Sequence, residues 1–178
     1  MIDIALSLLK TNEQRNELSE FYEENKSKLY EYAFSMLRNI TDAEDAVQDT
    51  FLKIAKYPNR FFALSYKQKI SYAVMIIKNI CIDIENDNNK RNLIEIPEDY
   101  PDKSQNPEEI TFGNISASEL KKFVENIPDP QKQAITLKVV CGLTNIEIAE
   151  TLNISRAAAE KRISDAYKLI KNFLKGDK

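Results

Sequence analysis

Arg156, Lys161 and Arg162 follow Ser155 within one short stretch of the C-terminal third of the chain. Guanidinium and ammonium groups bind the phosphate oxygens of nucleic acids, and an arginine can also donate two hydrogen bonds to a guanine edge. A serine hydroxyl can cap a helix and contact a phosphate. These residue types, so closely spaced, predict a surface that contacts duplex DNA.

The residues around these cations predict two helices joined by a sharp turn. Ile148, Leu152 and Ile154 have the spacing that buries a short first helix. Asn153 tolerates the left-handed backbone of a tight turn. Ser155 would then cap a longer second helix, whose buried face has helical spacing: Ala159, Ile163, Ala166 and Ile170. The pattern is typical of a DNA-binding helix-turn-helix, and an αα-corner without a nucleic acid partner is the alternative.

The composition of the 178-residue chain favours a helical protein and argues against an enzyme. Three glycines and six prolines accompany 43% hydrophobic residues, which indicates few tight turns. The absence of histidine removes the commonest acid-base catalyst and metal ligand, so we expect no cofactor. Catalysis by carboxylates stays open, but three glycines leave little material for a phosphate-binding loop, and an enzyme is the least expected function. Cys81 and Cys141 lie in separate apolar helical patterns, which predicts buried free thiols. The sequence has neither a signal-peptide pattern nor a bilayer-length apolar run, so we expect a cytoplasmic protein without membrane insertion.

The chain has a net charge of −3, and its excess of acidic residues lies in the middle of the chain. Residues 1–82 contain 11 basic and 11 acidic residues, residues 83–114 contain 3 and 9, and residues 115–178 contain 11 and 8. Residues 85–114 also lose helical periodicity and are rich in Asn, Asp, Glu and Pro. We therefore predict an all-α fold, with two small helical domains, residues 1–84 and 115–178, joined by a flexible acidic linker, residues 85–114.

In the N-terminal domain, helical periodicity runs from Thr11 to about Ile40, with a kink or break near Asn25. The capping-box pattern Thr41-Asp42-Ala43-Glu44 predicts the start of the next helix. Three polar residues then share one side of that helix: Asp45, Gln48 and Asp49.

The remaining elements follow from apolar runs and turn residues. An aromatic and cationic loop at residues 58–69 precedes a broadly apolar helix that runs from about Lys69 to Ile84. In the C-terminal domain, Ser116 predicts the cap of a helix that ends near Asn126. Asp129 as N-cap with Pro130 predicts the start of another helix, and Gly142 predicts its end.

Three motifs occur in order along the chain. The most specific is Asp42-Ala43-Glu44-Asp45-Ala46-Val47-Gln48-Asp49-Thr50-Phe51, followed by Lys78-Asn79 with Asp83, and then by the stretch from Ile127-Pro128 to Ile163. Together they resemble the extracytoplasmic-function (ECF) group of bacterial RNA polymerase sigma factors, in which a region 2 and a region 4, both helical, are joined by a linker. Tyr72 stands where that group usually has Trp. The resemblance covers roughly residues 15–84 and 116–175.

This resemblance implies a promoter-specificity subunit that binds core RNA polymerase and directs transcription initiation at −35 and −10 promoter elements. Asp45, Gln48 and Asp49 would dock on the clamp helices of the β′ subunit, because acidic and amide groups on a rigid helix suit Arg-rich partners. A solvated polar face is the alternative for these three residues. The β flap and an anti-sigma factor are further implied partners.

The resemblance also implies that residues 60–79 open and hold the −10 element. Aromatic side chains beside cations can stack unpaired bases, and each stack contributes about 1–3 kcal/mol. The candidates are Tyr66, Lys67, Lys69, Tyr72, Lys78 and Asn79. Phe61 and Phe62 are expected in the core instead.

The second helix of the helix-turn-helix would enter the major groove at the −35 element. Its candidate contacts are Ser155, Arg156, Lys161 and Arg162. Arg162 could instead pair with Glu147 or Glu150. The acidic linker would imitate nucleic acid in the RNA exit path of the polymerase, or act as a plain solvated tether.

The chain departs from the family pattern in two places. After Asp83 the usual run of arginines is replaced by Ile84-Glu85-Asn86-Asp87-Asn88-Asn89-Lys90-Arg91, where the cations come later and are fewer, and fewer phosphate contacts would weaken DNA binding. In the second helix, Ala157 and Ala158 could contact thymine methyl groups, whereas Glu160 would repel phosphate unless it accepts from a cytosine. Two other functions therefore stay open: a stand-alone helix-turn-helix regulator, and a sigma-like protein that binds polymerase or an anti-sigma factor without recognising promoters.

Overall fold

The computed structural model describes residues 2–92, 119, 123 and 126–175, and these residues form helices without strands. The predicted all-α fold is therefore confirmed. The helices are α1 (Ile2–Ser7), α2 (Asn12–Leu37), α3 (Ile40–Lys56), α4 (Pro58–Phe62), α5 (Tyr66–Asn92), α6 (Asp129–Val139), α7 (Asn145–Leu152) and α8 (Arg156–Lys175). Most of the predicted linker and the predicted cap at Ser116 lie outside the described residues.

Helices α2, α3 and α5 pack around an aromatic core that holds the N-terminal unit together. Phe21 is buried, and its ring centroid lies 6.2 Å from that of Phe51 and 5.1 Å from that of Phe61. Burying an aromatic side chain of this size stabilises the fold by about 1.5–3 kcal/mol. Phe61 is fully buried and Phe62 packs beside it, as the sequence predicted.

Two predicted helix boundaries in the N-terminal unit are wrong, and one predicted interruption does not divide its helix. The sequence predicted a kink or break near Asn25; α2 continues through this residue without a break, and the buried Asn25 side-chain amide donates to the Phe21 carbonyl oxygen at 3.0 Å. α3 is capped by Asn39, whose side-chain oxygen accepts from the Asp42 amide, and not by Thr41. α5 continues beyond Ile84 to Asn92, and its extension contacts the start of α3 through a hydrogen bond from Asn88 to Asp42 at 3.1 Å. The predicted loop at 58–69 contains the one-turn helix α4.

The C-terminal unit contains the predicted helix-turn-helix, formed by α7 and α8. Asn153 adopts the left-handed conformation, with φ 54° and ψ 49°, and the Ser155 hydroxyl accepts from the Ala158 amide at 3.2 Å. Ala159, Ile163 and Ala166 are buried, and Ile170 packs against them. The predicted N-cap at Asp129 is wrong, because α6 begins at Asp129 itself with Pro128 in the cap position.

The two units contact each other, since α2 packs on α6 and α5 packs on α7. Arg38 Nη2 and Asp129 Oδ1 form an exposed ion pair at 2.7 Å across this boundary. Cys81 and Cys141 are free and buried, as predicted. Burial raises the pKa of each thiol to about 12, so both sulfurs stay protonated and unreactive near neutral pH.

Candidate polymerase and nucleic-acid interfaces

The polar side of α3 is a rigid surface with two exposed carboxylates. Asp45 and Asp49 are exposed and Gln48 is half-buried between them. The opposite side of the same helix is held in the core by Ala46, Val47, Thr50, Phe51 and Ile54. Because this burial leaves α3 little freedom to rotate, the three polar side chains form one outward face, which we call the docking face.

Gln48 also lines a cleft of about 330 Å³ between α2 and α3. The cleft is lined by aromatic and charged side chains that include Tyr22, Lys26, Tyr30, Glu31 and Glu44. Two exposed carboxylates beside two tyrosine rings suit a guanidinium or ammonium group. Lys26 already places its ammonium group 5.1 Å from the Tyr22 ring centroid, so the cleft offers a basic partner chiefly the carboxylates of Glu31 and Glu44.

Tyr66 is tied to α2 through its hydroxyl group. Its oxygen donates to Glu24 Oε2 at 2.6 Å and accepts from Asn25 Nδ2 at 3.1 Å. The hydrogen bond to Glu24 raises the pKa of Tyr66. The ring is 50% exposed and makes an edge contact with Phe21, so one part of it can still reach a ligand.

Lys69 is the one −10 candidate that the structure buries, with only 8% of its surface exposed. Its ammonium group forms an ion pair with Glu17 and lies 5.4 Å from the centroid of the Phe61 ring. The half-exposed carboxylate of Glu17 pairs with this charge, and the Phe61 ring lies beside it. Lys69 therefore joins α5 to α2 and does not present a free cation in this arrangement, and its contact with the −10 element stays a prediction.

Tyr72 is half-buried, and the guanidinium group of Arg60 lies over its ring. The central carbon of the Arg60 guanidinium lies 5.1 Å from the Tyr72 ring centroid. Arg60 is exposed in α4, which the sequence had predicted as a loop. The pair places a cation beside an aromatic ring at the start of α5, the combination that favours stacked or phosphate-linked nucleotides.

Lys67 and Lys78 both contact the first helix of the helix-turn-helix. Lys78 Nζ donates to the Thr151 carbonyl oxygen at 2.6 Å, and Lys67 Nζ lies 4.0 Å from Glu147 Oε2. Burial lowers the pKa of Lys78. Asn79, by contrast, is exposed. The predicted −10 candidates thus lie along the first half of α5, but two of their cations face α7.

The exposed side of α8 carries the predicted −35 contacts. Ser155, Arg156 and Lys161 are exposed and Arg162 is half-buried. Arg156 Nε donates to Glu160 Oε1 at 2.8 Å, and this hydrogen bond lowers the pKa of Glu160. Glu147, considered from the sequence as a partner of Arg162, instead accepts from the Thr144 amide at 2.7 Å.

Sequence reasoning did not pair the candidate residues with their acidic partners, which are Glu17, Glu24, Glu147 and Glu160. Glu160 had a usable signal, because an acidic residue four positions after an arginine in a helix can pair with it. Glu17 and Glu24 had no such signal in the sequence, since they lie 52 and 42 residues from Lys69 and Tyr66.

Within the described ranges, no helix is both long and apolar enough to cross a membrane.

Comparison with protein families gives two matches in chain order. The family described as Sigma-70 region 2 matches residues 21–91, and the one described as Sigma-70, region 4 matches residues 118–170. The first match ends within α5, and the second includes α6, α7 and α8 up to residue 170. The helix α1 lies outside both matched ranges.

Individual relatives and solved structures are similar to both units. The ECF RNA polymerase sigma factor SigE of Mycolicibacterium smegmatis is 23% identical over 158 residues, which is 87% of this chain and 60% of that protein. SigK of Mycobacterium tuberculosis, also an ECF sigma factor, is 21% identical over 88% of this chain and 84% of that protein. This chain therefore matches less than two thirds of the SigE length. The fold is similar to that of CnrH in complex with the cytosolic domain of CnrY (TM-score 0.61, 19% identity, 99% of this chain and 96% of that one). It is also similar to RpoE in complex with the anti-sigma factor NepR from Bartonella quintana (TM-score 0.65, 20% identity, 89% and 99%).

Proposed function

The chain belongs to the ECF group of RNA polymerase sigma factors, and on that premise we propose that it is an alternative promoter-specificity subunit. It binds core RNA polymerase, recognises −35 and −10 promoter elements, and helps to separate the two DNA strands at the −10 element. Its place of action is the cytoplasm, where polymerase and promoter DNA are found. The domain boundaries that fit this function are a region 2 unit that ends with α5 and a region 4 unit built on α6, α7 and α8.

The observation that carries the proposal is the docking face on α3. Asp45 and Asp49 are exposed beside Gln48, while the other side of α3 is buried. A stand-alone DNA-binding regulator needs no such face, whereas a polymerase subunit needs a rigid surface for charge-assisted hydrogen bonds to basic side chains. We assign this face to the clamp helices of the β′ subunit.

The DNA contacts are divided between the two units. We propose that Tyr66, Lys67, Tyr72, Lys78 and Asn79 hold the −10 strand, with Lys69 acting through the packing of α5. Ser155, Arg156, Lys161 and Arg162 contact the −35 element, where the exposed start of α8 can enter the major groove. The β flap is the proposed polymerase contact of the C-terminal unit.

Because both solved neighbours are described in complex with a second protein, CnrY or the anti-sigma factor NepR, we also propose control by an anti-sigma factor.

Run-off transcription with bacterial core RNA polymerase tests the proposal. The template is the DNA upstream of this protein's own reading frame, together with a randomised promoter pool. Wild-type protein should produce transcripts, and an Asp45→Ala/Gln48→Ala/Asp49→Ala variant should produce none while retaining its helical circular dichroism. A matched Glu13→Ala/Asn16→Ala/Glu20→Ala variant, which alters exposed polar residues of α2, should behave as wild type.

Two results would contradict the proposal. DNA binding without polymerase binding would indicate a stand-alone regulator. Polymerase binding without transcripts from any promoter in the pool would indicate a sigma-like protein that does not recognise promoters. The second alternative has some support in the structure, because Arg156 is paired with Glu160 and Lys69 is buried.

A further inference from the structure

The N-terminal helix α1 lies outside both matched family ranges, yet it packs on α3 next to the docking face. Ala5 and Leu9 are buried, and Ile2 and Leu6 pack against the core. A six-residue helix is too short to be stable alone, so its position depends on these contacts.

The Arg15 guanidinium fixes the C-terminal end of α1. Its Nε donates to the Leu6 carbonyl oxygen at 3.2 Å and its Nη2 donates to the Leu9 carbonyl oxygen at 2.9 Å. Carbonyl groups at a helix end have no partner within the helix, and a cation there also interacts favourably with the helix dipole. α1 is therefore a positioned part of the N-terminal unit.

Although α1 is anchored by its buried side, two large apolar side chains are exposed to solvent, one within α1 and one directly after it. Ile4 is 68% exposed, and Leu8, one helical turn later, is 45% exposed. Ile4 lines a small cleft together with Gln48, Asp49 and Leu52. Single exposed apolar residues are common on protein surfaces. Here, however, an apolar pair borders a polar docking face, which is the mixture of apolar and hydrogen-bonding groups found in protein interfaces.

The charges around this patch determine the kind of partner that fits it. Glu44, Asp45 and Asp49 are exposed on α3, and Glu31 lies across the larger cleft from Glu44. A helix with basic residues on one side and an apolar residue beside them fits this surface. Its basic residues would pair with the carboxylates, and its apolar residue would cover Ile4. A purely apolar partner would leave these carboxylates desolvated without partners.

We propose that Ile4, with Leu8 beside it, is an apolar extension of the docking face and contacts the same basic helix of core RNA polymerase. This inference rests on the proposed function, because it names a further part of the same interface. α1 thereby adds to the docking face a contact that neither matched family range includes.

The test measures binding of the full chain to core RNA polymerase, with Ile4→Ser as the variant and Val139→Ser as the control. Val139 has a similar exposure of 63% but lies in the C-terminal unit. Ile4→Ser should weaken binding about five- to tenfold, with no change in the thermal unfolding midpoint. Val139→Ser should bind as wild type. An Ile4→Leu variant should recover most of the affinity.

Salt dependence separates the apolar contact from the charged ones. The ratio of the Ile4→Ser and wild-type dissociation constants should stay constant as salt is raised, because burial of apolar surface is not screened. The deficit of the Asp45→Ala/Gln48→Ala/Asp49→Ala variant should shrink under the same conditions.

Three results would overturn the inference. If Ile4→Ser binds polymerase as wild type while the triple variant does not, α1 is not part of the interface and the proposed function stands. If wild-type protein does not bind polymerase, both proposals fail. If Ile4→Ser converts a wild-type dimer to a monomer and leaves polymerase affinity unchanged, the patch is covered by a second copy of this chain.

Discussion

Lys78 Nζ donates a 2.6 Å hydrogen bond to the main-chain carbonyl oxygen of Thr151, which lies 73 residues later in the chain. Lys78 belongs to the proposed −10 surface on α5, and Thr151 belongs to the first helix of the helix-turn-helix. In this arrangement the first helix of the helix-turn-helix binds the Lys78 ammonium group, which would otherwise be available to the −10 strand. Binding of the −10 strand by Lys78 therefore requires α7 to move away from α5.

We expect this movement to be measurable as a distance change between α5 and α7. Dyes on Asn86→Cys and Glu150→Cys, both exposed positions, should show high energy transfer in the free protein and lower transfer in a complex with polymerase and promoter DNA. The buried thiols of Cys81 and Cys141 should not react with the dyes. Equal transfer in the free and bound states would contradict the expected separation.

Replacing Lys78 with Met should shift the free protein towards the separated arrangement. The variant keeps the side-chain stem but removes a charged hydrogen bond, which at this half-buried position contributes about 1 kcal/mol. The same pair of dyes should report a lower transfer efficiency without DNA. Lys168→Met, which removes an exposed cation from α8, should leave the efficiency unchanged.

The ion pair between Lys69 and Glu17 predicts an unequal effect of removing its two partners. Glu17→Ala leaves a buried ammonium group without its carboxylate, so it should lower the free energy of unfolding by about 1–3 kcal/mol. Lys69→Met removes the charge and keeps the apolar stem, so its cost should be smaller. Urea unfolding measures both changes. Glu23→Ala, which breaks a more exposed pair with Lys26, should change stability by less than about 1 kcal/mol.

The ion pair between Lys69 and Glu17 also leads to a prediction about opening of the −10 element. Because Lys69 is buried, Lys69→Met should reduce opening of the −10 element less than Lys67→Met does. Fluorescence of 2-aminopurine placed in the −10 element measures opening. A larger loss for Lys69→Met at equal helical content would show that Lys69 leaves its buried position to contact the strand.

The hydrogen bond between Arg156 and Glu160 predicts that this acidic residue limits −35 binding. Glu160→Gln removes a negative charge from the exposed start of α8 and releases Arg156 for phosphate. We expect binding to a −35 duplex to tighten by a few fold and to become more salt-dependent, because one more cation can neutralise a phosphate. Asp165→Asn, further along α8, is the matched control. Weaker binding by Glu160→Gln would mean that Glu160 itself accepts a hydrogen bond from a base.

The Thr144–Glu147 capping box predicts that the start of α7 loses stability in acid. Burial alone would raise the pKa of Glu147, but hydrogen bonds from the Thr144 hydroxyl and amide, with attraction from Lys67, leave that pKa lowered. Because the folded pKa is below the unfolded one, this stabilisation is present above about pH 4.3 and is lost as pH falls through the folded value.

Thermal unfolding between pH 3 and pH 7 tests this prediction. Glu147→Gln should remove the part of the pH dependence that comes from the cap while leaving a hydrogen-bond acceptor. Thr144→Ala should cost about 1 kcal/mol at neutral pH. If Glu147→Gln and wild type lose stability in parallel on acidification, other carboxylates are responsible.

Local sequence patterns predicted the turn and cap chemistry of the helix-turn-helix correctly. Asn153 is left-handed and Ser155 caps α8, because both features depend on backbone groups within three or four residues. The same reasoning failed at α3, where Asn39 and Thr41 were both available as caps and the structure uses Asn39. It also failed at the end of α5, where the polar extension is supported by a contact between Asn88 and Asp42 that is distant in sequence.

The sequence by itself determined that this chain is helical and that it carries a helix-turn-helix and an exposed acidic face, because apolar periodicity decides which side of each helix is buried. Tertiary structure alone decided which cations remain available. Lys69 is paired with Glu17, the Lys78 ammonium group donates to the Thr151 carbonyl oxygen, and the Tyr66 hydroxyl donates to Glu24. Charge interaction and burial depend on distance in space, and these partners are separated by 42 to 73 residues of chain.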